Sequence, residues 1–323
     1  MIDEMGYEEQ LRRKTSALTG ALEGVVLDGL MDDSVTEVMI DPSGRVSYDR
    51  LYGTLEPQVG KQLESRAVVN LISKLAQGRS VVGEAMLETE LQIHDVRIRV
   101  QAWLPEVSPL GAAANLRKHR RQGKGKNDFP ALKLPDYGLP SSYNEAFHEC
   151  AETGGTILFV GPTGSGKTTG AGAYLGLLTE KFPTDHVVTI EDVREIYCES
   201  ESWLALCAND KVSQARLLRS AMRARPDVLA LSEARDKAAK DMIMSFGTGH
   251  GGFSTVHGGS IVRGIVRVHD LADGELSEST VCEAITYGVL MRRDRKTGKR
   301  EFADMAKIND WRDDRVNLTQ LPR

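Results

Sequence analysis

Residues 161–168 read GPTGSGKT, and they stand between the apolar run TILFV at 156–160 and a helix-like segment at 167–181. The spacing G-x-x-x-x-G-K-[ST], placed after a strand and before a helix, is typical of loops that bind the phosphates of a nucleotide. Glycine lets backbone N–H groups wrap around an anion, and the helix N-terminus adds partial positive charge. The sequence therefore predicts a nucleotide phosphate site at this loop.

Two side chains of the loop have separate predicted tasks. Lys167 is expected to reach the β- and γ-phosphates, and the Thr168 hydroxyl is expected to bind Mg²⁺. The predicted nucleotide-binding residues of this segment are Gly161, Pro162, Thr163, Gly164, Ser165, Gly166, Lys167, Thr168 and Thr169.

Strands and helices alternate from about residue 141. Apolar runs of strand length occur at 156–160, 186–190, 228–232 and 252–256, and helical segments lie near 167–181, 213–225 and 236–246. Such alternation predicts a mostly parallel sheet that helices cover on both faces. The predicted fold class is therefore α/β.

Acidic residues follow two of the predicted strands. Glu191 and Asp192 come after the strand at 186–190, and Glu233 comes after the strand at 228–232. Ligands bind at the carboxyl ends of the strands in open α/β sheets, so these carboxylates are expected to face the phosphate loop. One would hold Mg²⁺, and the other would orient or deprotonate the attacking water.

Two histidines complete the predicted site. His250 follows a predicted helix, and His257 stands at the end of the next apolar run. A histidine at the carboxyl end of a strand can donate a hydrogen bond to a phosphate oxygen. Both histidines are therefore predicted to act at the phosphates.

The first third of the chain reads as a small α+β unit. A β-hairpin is predicted from 35–40 and 45–50, which flank a turn sequence at 41–44. Apolar residues at three- and four-residue steps predict an amphipathic helix over 61–77. A second hairpin is predicted from 87–93 and 96–104, where apolar and polar residues alternate.

A basic run separates the two parts of the chain. Residues 117–126 hold six Lys or Arg and precede three prolines, a composition that predicts an exposed connector. The predicted domains are an N-terminal α+β domain at 1–118, a linker at 119–140 and an α/β domain at 141–323.

Composition argues against several classes of protein. The chain has 323 residues and a formal net charge of -5. Its pI near 5.9 argues against a dedicated nucleic-acid binder, whose surface is normally basic. No run approaches the roughly 20 apolar residues of a bilayer span, and residues 1–14 lack the apolar core of a signal peptide. We therefore expect a cytoplasmic protein of two domains.

Five features of the sequence, in their order along the chain, resemble one family. After the loop come TIED at 189–192, SEARD at 232–236, TGH at 248–250 and STVH at 254–257. Over almost the whole chain, the sequence resembles the hexameric traffic ATPases of type II secretion, type IV pili and type IV secretion. The resemblance implies a RecA-like P-loop NTPase motor domain after a PAS-like N-terminal domain, with ATP and Mg²⁺ bound and a homo-hexameric assembly.

The resemblance also implies roles for the acidic residues and the histidines. By position, Glu191 is the catalytic base, and Glu233 is the second acidic residue, which also serves the metal together with Thr168. His250 and His257 correspond to the histidine pair of the family.

Arginines are the third group that the resemblance assigns. Arginines of the N-terminal domain approach the phosphates in that family, and the similar stretch here holds Arg97, Arg99 and Arg117, of which Arg117 is predicted to be catalytic. Arg223 and Arg235 match family positions that contact phosphate or a neighbouring subunit.

The resemblance implies an ATPase motor that powers type IV secretion or conjugative transfer on the cytoplasmic side of the inner membrane. Its partners would be inner-membrane secretion or transfer proteins, which would also hold it peripherally at the membrane, and no sequence-specific nucleic-acid binding is expected. A type IV pilus retraction or assembly ATPase is an alternative with the same catalytic residues. An ATP-dependent assembly scaffold and a nucleic-acid helicase are alternatives of other classes.

Overall fold

The structure is a computed structural model that describes residue 22 and residues 24–51, 53–94, 96–119, 131–209, 211–313 and 315–323. The chain divides into two compact units. Unit 1 lies within Met1–Arg120 and Arg295–Lys299, and unit 2 lies within Arg121–Asp294 and Arg300–Arg323. Within the described ranges, no helix combines the length and the apolar composition that a membrane span requires.

The described part of unit 1 contains one antiparallel sheet and two helices. The helices are α1 (Gly24–Met31) and α2 (Ser65–Leu75). The strands are β1 (Val35–Ile40), β2 (Arg45–Arg50), β3 (Glu56–Gln62), β4 (Met86–Ile93), β5 (Val96–Trp103) and β6 (Ala113–His119). They pair in the order β3-β2-β1-β6-β5-β4, which confirms both predicted hairpins.

One face of this sheet is apolar and packs in a core with the helices. Ile98 and Val100 are fully buried and share this core with Leu71 of α2. The residues that alternate with them, Arg97 and Arg99, are exposed, as the period of a half-buried strand requires. The predicted helix at 61–77 begins later, at α2, because residues up to the end of β3 pair with β2 instead.

The basic run is a connector only in part. Arg117 and Lys118 lie in β6, in the interior of the sheet, so the prediction of an exposed connector is wrong for these two residues. Lys118 is buried, and its Nζ donates to the carbonyl oxygens of Leu30 and Asp32, at 3.0 and 2.6 Å, near the end of α1. The remainder of the run, residues 120–126, lies outside the described residues.

The described part of unit 2 contains six α-helices and one sheet. The helices are α3 (Ser141–Glu152), α4 (Lys167–Lys181), α5 (Gln214–Ala221), α6 (Ala238–Gly247), α7 (Ile261–Leu271) and α8 (Glu278–Glu283). The strands are β7 (Thr156–Gly161), β8 (His186–Glu191), β9 (Ser202–Cys207), β10 (Val228–Leu231), β11 (Gly251–His257), β12 (Tyr287–Arg293), β13 (Arg300–Arg312) and β14 (Arg315–Gln320).

The sheet of unit 2 has the order β14-β13-β12-β7-β11-β10-β8-β9. The strands from β12 to β9 in this order are parallel, whereas β13 and β14 are antiparallel to their neighbours. The four predicted strands and three predicted helices of this part are confirmed, and so is the mostly parallel sheet. Parallel strands bring their carboxyl ends to one edge, where β7, β8, β10 and β11 therefore end together.

Helices cover both faces of this sheet, as the strand and helix alternation predicted. Side chains of β7 alternate between two cores because successive residues of a strand point to opposite faces. Ile157 and Phe159 belong to the core that contains Tyr174 of α4. Val160 belongs to the core that contains Ile265 of α7. The strand that leads into the loop is therefore fixed by packing on both sides.

Candidate nucleotide site

The loop GPTGSGKT joins β7 to α4 at the carboxyl edge of the sheet. Gly164 and Gly166 have φ angles of 74° and 89°, a left-handed conformation that favours glycine. A Cβ at Gly161 would stand 2.5 Å from the Ser165 hydroxyl oxygen, so only glycine fits there. Lys167 begins α4, which brings the partial positive charge of the helix N-terminus to the loop. This geometry suits an anion.

The Lys167 side chain folds back over the loop and meets His257 at the end of β11. Its Nζ donates to the carbonyl oxygen of Pro162 at 3.2 Å and lies 3.4 Å from Nδ1 of His257. Burial, followed by the positive charge of Lys167, lowers the pKa of His257. The imidazole is therefore neutral at pH 7, and Nδ1 can accept a hydrogen bond from the ammonium group.

Glu233 extends this chain of contacts to β10. Its Oε1 lies 3.2 Å from Nε2 of His257, and its Oε2 accepts a hydrogen bond of 2.7 Å from Arg235. Burial opposes the charged form of Glu233, but the hydrogen bond and the charge of Arg235 lower its pKa overall. Arg235 also contacts Asp192 at 3.1 Å. The ends of β7, β11, β10 and β8 thus carry one connected set of charged and polar groups.

Glu191, the last residue of β8, lies in a different environment. Its side chain is fully buried, and its Oε1 accepts hydrogen bonds of 2.9 Å from the N–H groups of Glu195 and Ile196. Its Oε2 has no hydrogen-bond partner among the described residues. Burial is the main cause that raises the pKa of Glu191 to about 7. A carboxyl group with a pKa near neutrality is suited to accept a proton.

Oxygen ligands that fit Mg²⁺ lie beside the loop. Thr168 and Thr169 are half-buried in the first turn of α4, and the carboxylate of Glu233 meets the loop lysine through His257. In the described ranges, no group of three or more His, Cys, Asp or Glu side chains could hold a metal ion. A hydroxyl and one carboxylate fit a cation that takes its other ligands from phosphates and water, as Mg²⁺ does.

Two of the predicted site residues lie at the opposite edge of the same sheet. His250 precedes β11, where its Nδ1 lies 3.2 Å from the carbonyl oxygen of Ser245. The length of β11 separates His250 from His257 by about 20 Å. Arg223 is exposed in a short 3-10 turn before β10. Within one chain, the structure does not bring His250 or Arg223 to the loop.

The three N-terminal arginines lie together on the exposed face of the unit 1 sheet. Arg99 on β5 stands directly opposite Arg117 on β6. Glu90 contacts Arg97 at 2.7 Å and Arg99 at 3.4 Å, and Glu37 contacts Arg117 at 3.4 Å. All three guanidinium groups therefore have carboxylate partners in this structure.

Sequence reasoning missed one residue at the loop, Arg300 at the start of β13. Its Nε donates to the carbonyl oxygen of Gly164 at 3.1 Å, across 136 positions of the sequence. No motif marks Arg300, and only the pairing of β12 with β7 and of β13 with β12 brings it to the loop.

Comparison with known proteins finds a family match and several relatives. Residues 59–315 match the family described as Type II/IV secretion system protein. The conjugal transfer protein TrbB of Rhizobium radiobacter is 29% identical over 292 residues, which cover 89% of this chain and 87% of that protein. The probable conjugal transfer protein TrbB of Sinorhizobium fredii is 28% identical over 322 residues, which cover 96% and 95% of the two chains.

Solved structures show the same fold at low sequence identity. The ATPase DotB of Yersinia pseudotuberculosis matches with a TM-score of 0.63 and 19% identity, over 88% of this chain and 80% of that chain. The pilus retraction motor PilT with bound ADP matches with a TM-score of 0.57 and 19% identity, over 84% and 78%. The predicted fold class, α/β with a RecA-like motor domain, is confirmed.

Proposed function

We propose that this chain, which belongs to the Type II/IV secretion system protein family, hydrolyses ATP to drive type IV secretion or conjugative transfer. The observation that carries the proposal is the contact of Lys167 with His257 and of His257 with Glu233 at the mouth of the phosphate loop. Two relatives that align with most of the chain are described as conjugal transfer proteins, which supports the choice of machine.

Each of the site residues has a separate role in hydrolysis. The Lys167 ammonium exchanges its contacts with Pro162 and His257 for phosphate oxygens. Thr168 and Glu233 would hold Mg²⁺, which when bound neutralises charge on the phosphates. Glu191 accepts the proton of the attacking water, because its raised pKa of about 7 suits that role.

His257 is suited to sense whether the γ-phosphate is present. It is neutral and stands between an ammonium group and a carboxylate, so its hydrogen bonds must rearrange when Lys167 turns to phosphate. Hydrolysis removes the γ-phosphate and lets these contacts form again. Rearrangement of this kind can couple chemistry to motion.

The remaining proposal concerns domains and assembly. We take 1–118 as the N-terminal domain, 119–140 as the linker and 141–323 as the ATPase domain. The chain is proposed to work as a homo-hexamer with transfer proteins at the cytoplasmic side of the inner membrane. Phosphate oxygens would replace the carboxylate partners of Arg97, Arg99 and Arg117, in line with the charge-assisted pairing that guanidinium groups make with either anion.

Glu233→Gln separates a motor from an assembly scaffold. The variant is expected to bind ATP within about threefold of wild type but to hydrolyse it at least about 100-fold more slowly, because a neutral amide is a poor Mg²⁺ ligand. Binding, phosphate release and complementation of transfer are measured together, with Glu180→Gln, an exposed glutamate on α4, as control. Transfer that persists without hydrolysis would indicate a scaffold.

Arg117→Ala tests the proposed ring. Specific activity of the wild-type chain is expected to rise with protein concentration, because mass action governs a shared site. Arg117→Ala is expected to bind ATP and lose turnover, and mixing it with Lys167→Ala should restore part of the turnover if the arginine acts between subunits. The control is Arg66→Ala, an exposed arginine on α2. A monomer with ATP and Mg²⁺ that is fully active at every dilution would contradict the ring.

A further inference from the structure

The hairpin of β12 and β13 flanks the phosphate loop on the side away from Glu233 and His257. In the strand order, β12 lies on one side of β7, and β11 and β10 lie on the other. A Cβ at Gly161 would stand 2.6 Å from the carbonyl oxygen of Met291, and a Cβ at Gly170 would stand 3.0 Å from the Met291 side chain. The loop and the first turns of α4 thus carry glycine where this hairpin packs against them.

A third glycine, Gly166, lies close to the side chain of Arg300. A Cβ at Gly166 would stand 2.9 Å from Cδ of Arg300, so the absence of a side chain at Gly166 is what admits the arginine. The Arg300 Nε donates to the carbonyl oxygen of Gly164 at 3.1 Å. The arginine stem therefore covers one glycine of the loop while its guanidinium group binds the carbonyl of another.

These two glycines determine the shape of the loop. Both have left-handed φ angles, 74° at Gly164 and 89° at Gly166. Left-handed residues in such a turn help to decide which N–H groups face an anion. A hydrogen bond from a guanidinium group to the Gly164 carbonyl fixes the orientation of the peptide that follows it. Glycine-rich backbone is otherwise free to adopt many conformations.

We propose that Arg300 is a positioning residue that holds the loop in its phosphate-binding conformation. The inference rests on the proposed nucleotide function of the loop. Arg300 stands on the opposite side of β7 from His257, Glu233 and Glu191, so it sets the affinity for the phosphates and not the rate of the chemical step. Its contribution to affinity is the same for every ligand whose phosphate groups the loop binds.

Arg300→Met tests this role because methionine keeps much of the stem and removes the guanidinium group. The dissociation constants of pyrophosphate, ADP and ATP are each expected to rise about tenfold, with KM rising alike and kcat changing less than about twofold. Arg300→Lys is expected to recover part of the affinity, because its ammonium group can donate to the Gly164 carbonyl. Arg312→Met is the control, since Arg312 lies exposed at the far end of β13 and contacts Asp310.

Titration calorimetry of the wild-type and variant chains decides between the outcomes. Unchanged affinity for all three ligands in Arg300→Met would overturn the proposal, and so would weaker ADP binding with unchanged pyrophosphate binding, which would indicate contact with the ribose or base. If Arg300→Met does not fold, Arg300→Gln replaces it under the same expectations. Lys167→Ala is titrated in parallel. If Lys167→Ala loses binding while Arg300→Met keeps it, the proposal for Arg300 is wrong and the proposed function remains intact. Unchanged binding in both variants would contradict the proposed function itself.

Discussion

Lys167→Ala is expected to abolish ATP hydrolysis, by about 10³-fold or more, in a chain that remains folded. Each charge-assisted hydrogen bond to a phosphate oxygen contributes about 1.5 to 3 kcal/mol, and the ammonium group can make two. In the structure, Nζ contacts the carbonyl oxygen of Pro162 and Nδ1 of His257. Both contacts belong to the site, so their loss is expected to cost the fold little.

The measurement combines phosphate release with the circular dichroism spectrum and the melting midpoint. Lys181→Ala is the control, because Lys181 ends the same helix and makes an ion pair with the exposed Glu152, and solvent weakens such surface pairs. Hydrolysis near the wild-type rate in folded Lys167→Ala would discard the ATPase proposal.

Glu191→Gln is expected to slow hydrolysis by about 10²- to 10⁴-fold, as loss of a general base does. ATP binding should stay within about threefold of wild type, because the amide oxygen of glutamine can still accept the N–H groups of Glu195 and Ile196. Binding is measured at equilibrium and hydrolysis in a single turnover. Glu201→Gln, at an exposed glutamate, is the control.

The pH dependence checks the same assignment. A general base must be ionised, and burial raises the pKa of Glu191 to about 7, so kcat/KM is expected to fall as the pH drops below about 7. Glu191→Gln should remove this part of the profile, since glutamine does not titrate. If Glu191→Gln lowers the affinity for ATP as far as it lowers the rate, Glu191 acts in nucleotide binding, and Glu233 becomes the better candidate for the base.

The fold could be predicted where local pattern and topology agree. The strands β7, β8, β10 and β11 are short apolar runs with helices between them, and each was found within a residue or two of its predicted range. The strand β6 could not be predicted from its composition, because Arg117 and Lys118 belong to a basic run that is typical of an exposed connector. In the structure, carbonyl groups at the end of α1 and just after it accept hydrogen bonds from Lys118. The place of β12, β13 and β14 in the sheet depends on the pairing of β12 with the distant strand β7, which no local pattern records.

The site shows the same division between local and long-range information. The structure connects Lys167, His257 and Glu233 because each follows, or stands at the end of, a parallel strand. His250 lies seven residues before His257, and the intervening strand carries it to the other edge of the sheet. The Glu191 carboxylate is held by N–H groups of the segment that follows β8, at Glu195 and Ile196, and no motif marks these contacts. Arg300 reaches Gly164 only through strand order.

The most direct test of the central claim, that this chain is an ATP-hydrolysing member of its family, is steady-state phosphate release from ATP. Purified wild-type chain and Lys167→Ala are assayed side by side with Mg²⁺ at equal, high protein concentration. The wild type is expected to release phosphate at about 10³ times the rate of the variant, or more. Equal rates from the two folded chains, or no release from a wild-type chain that binds ATP, would contradict it.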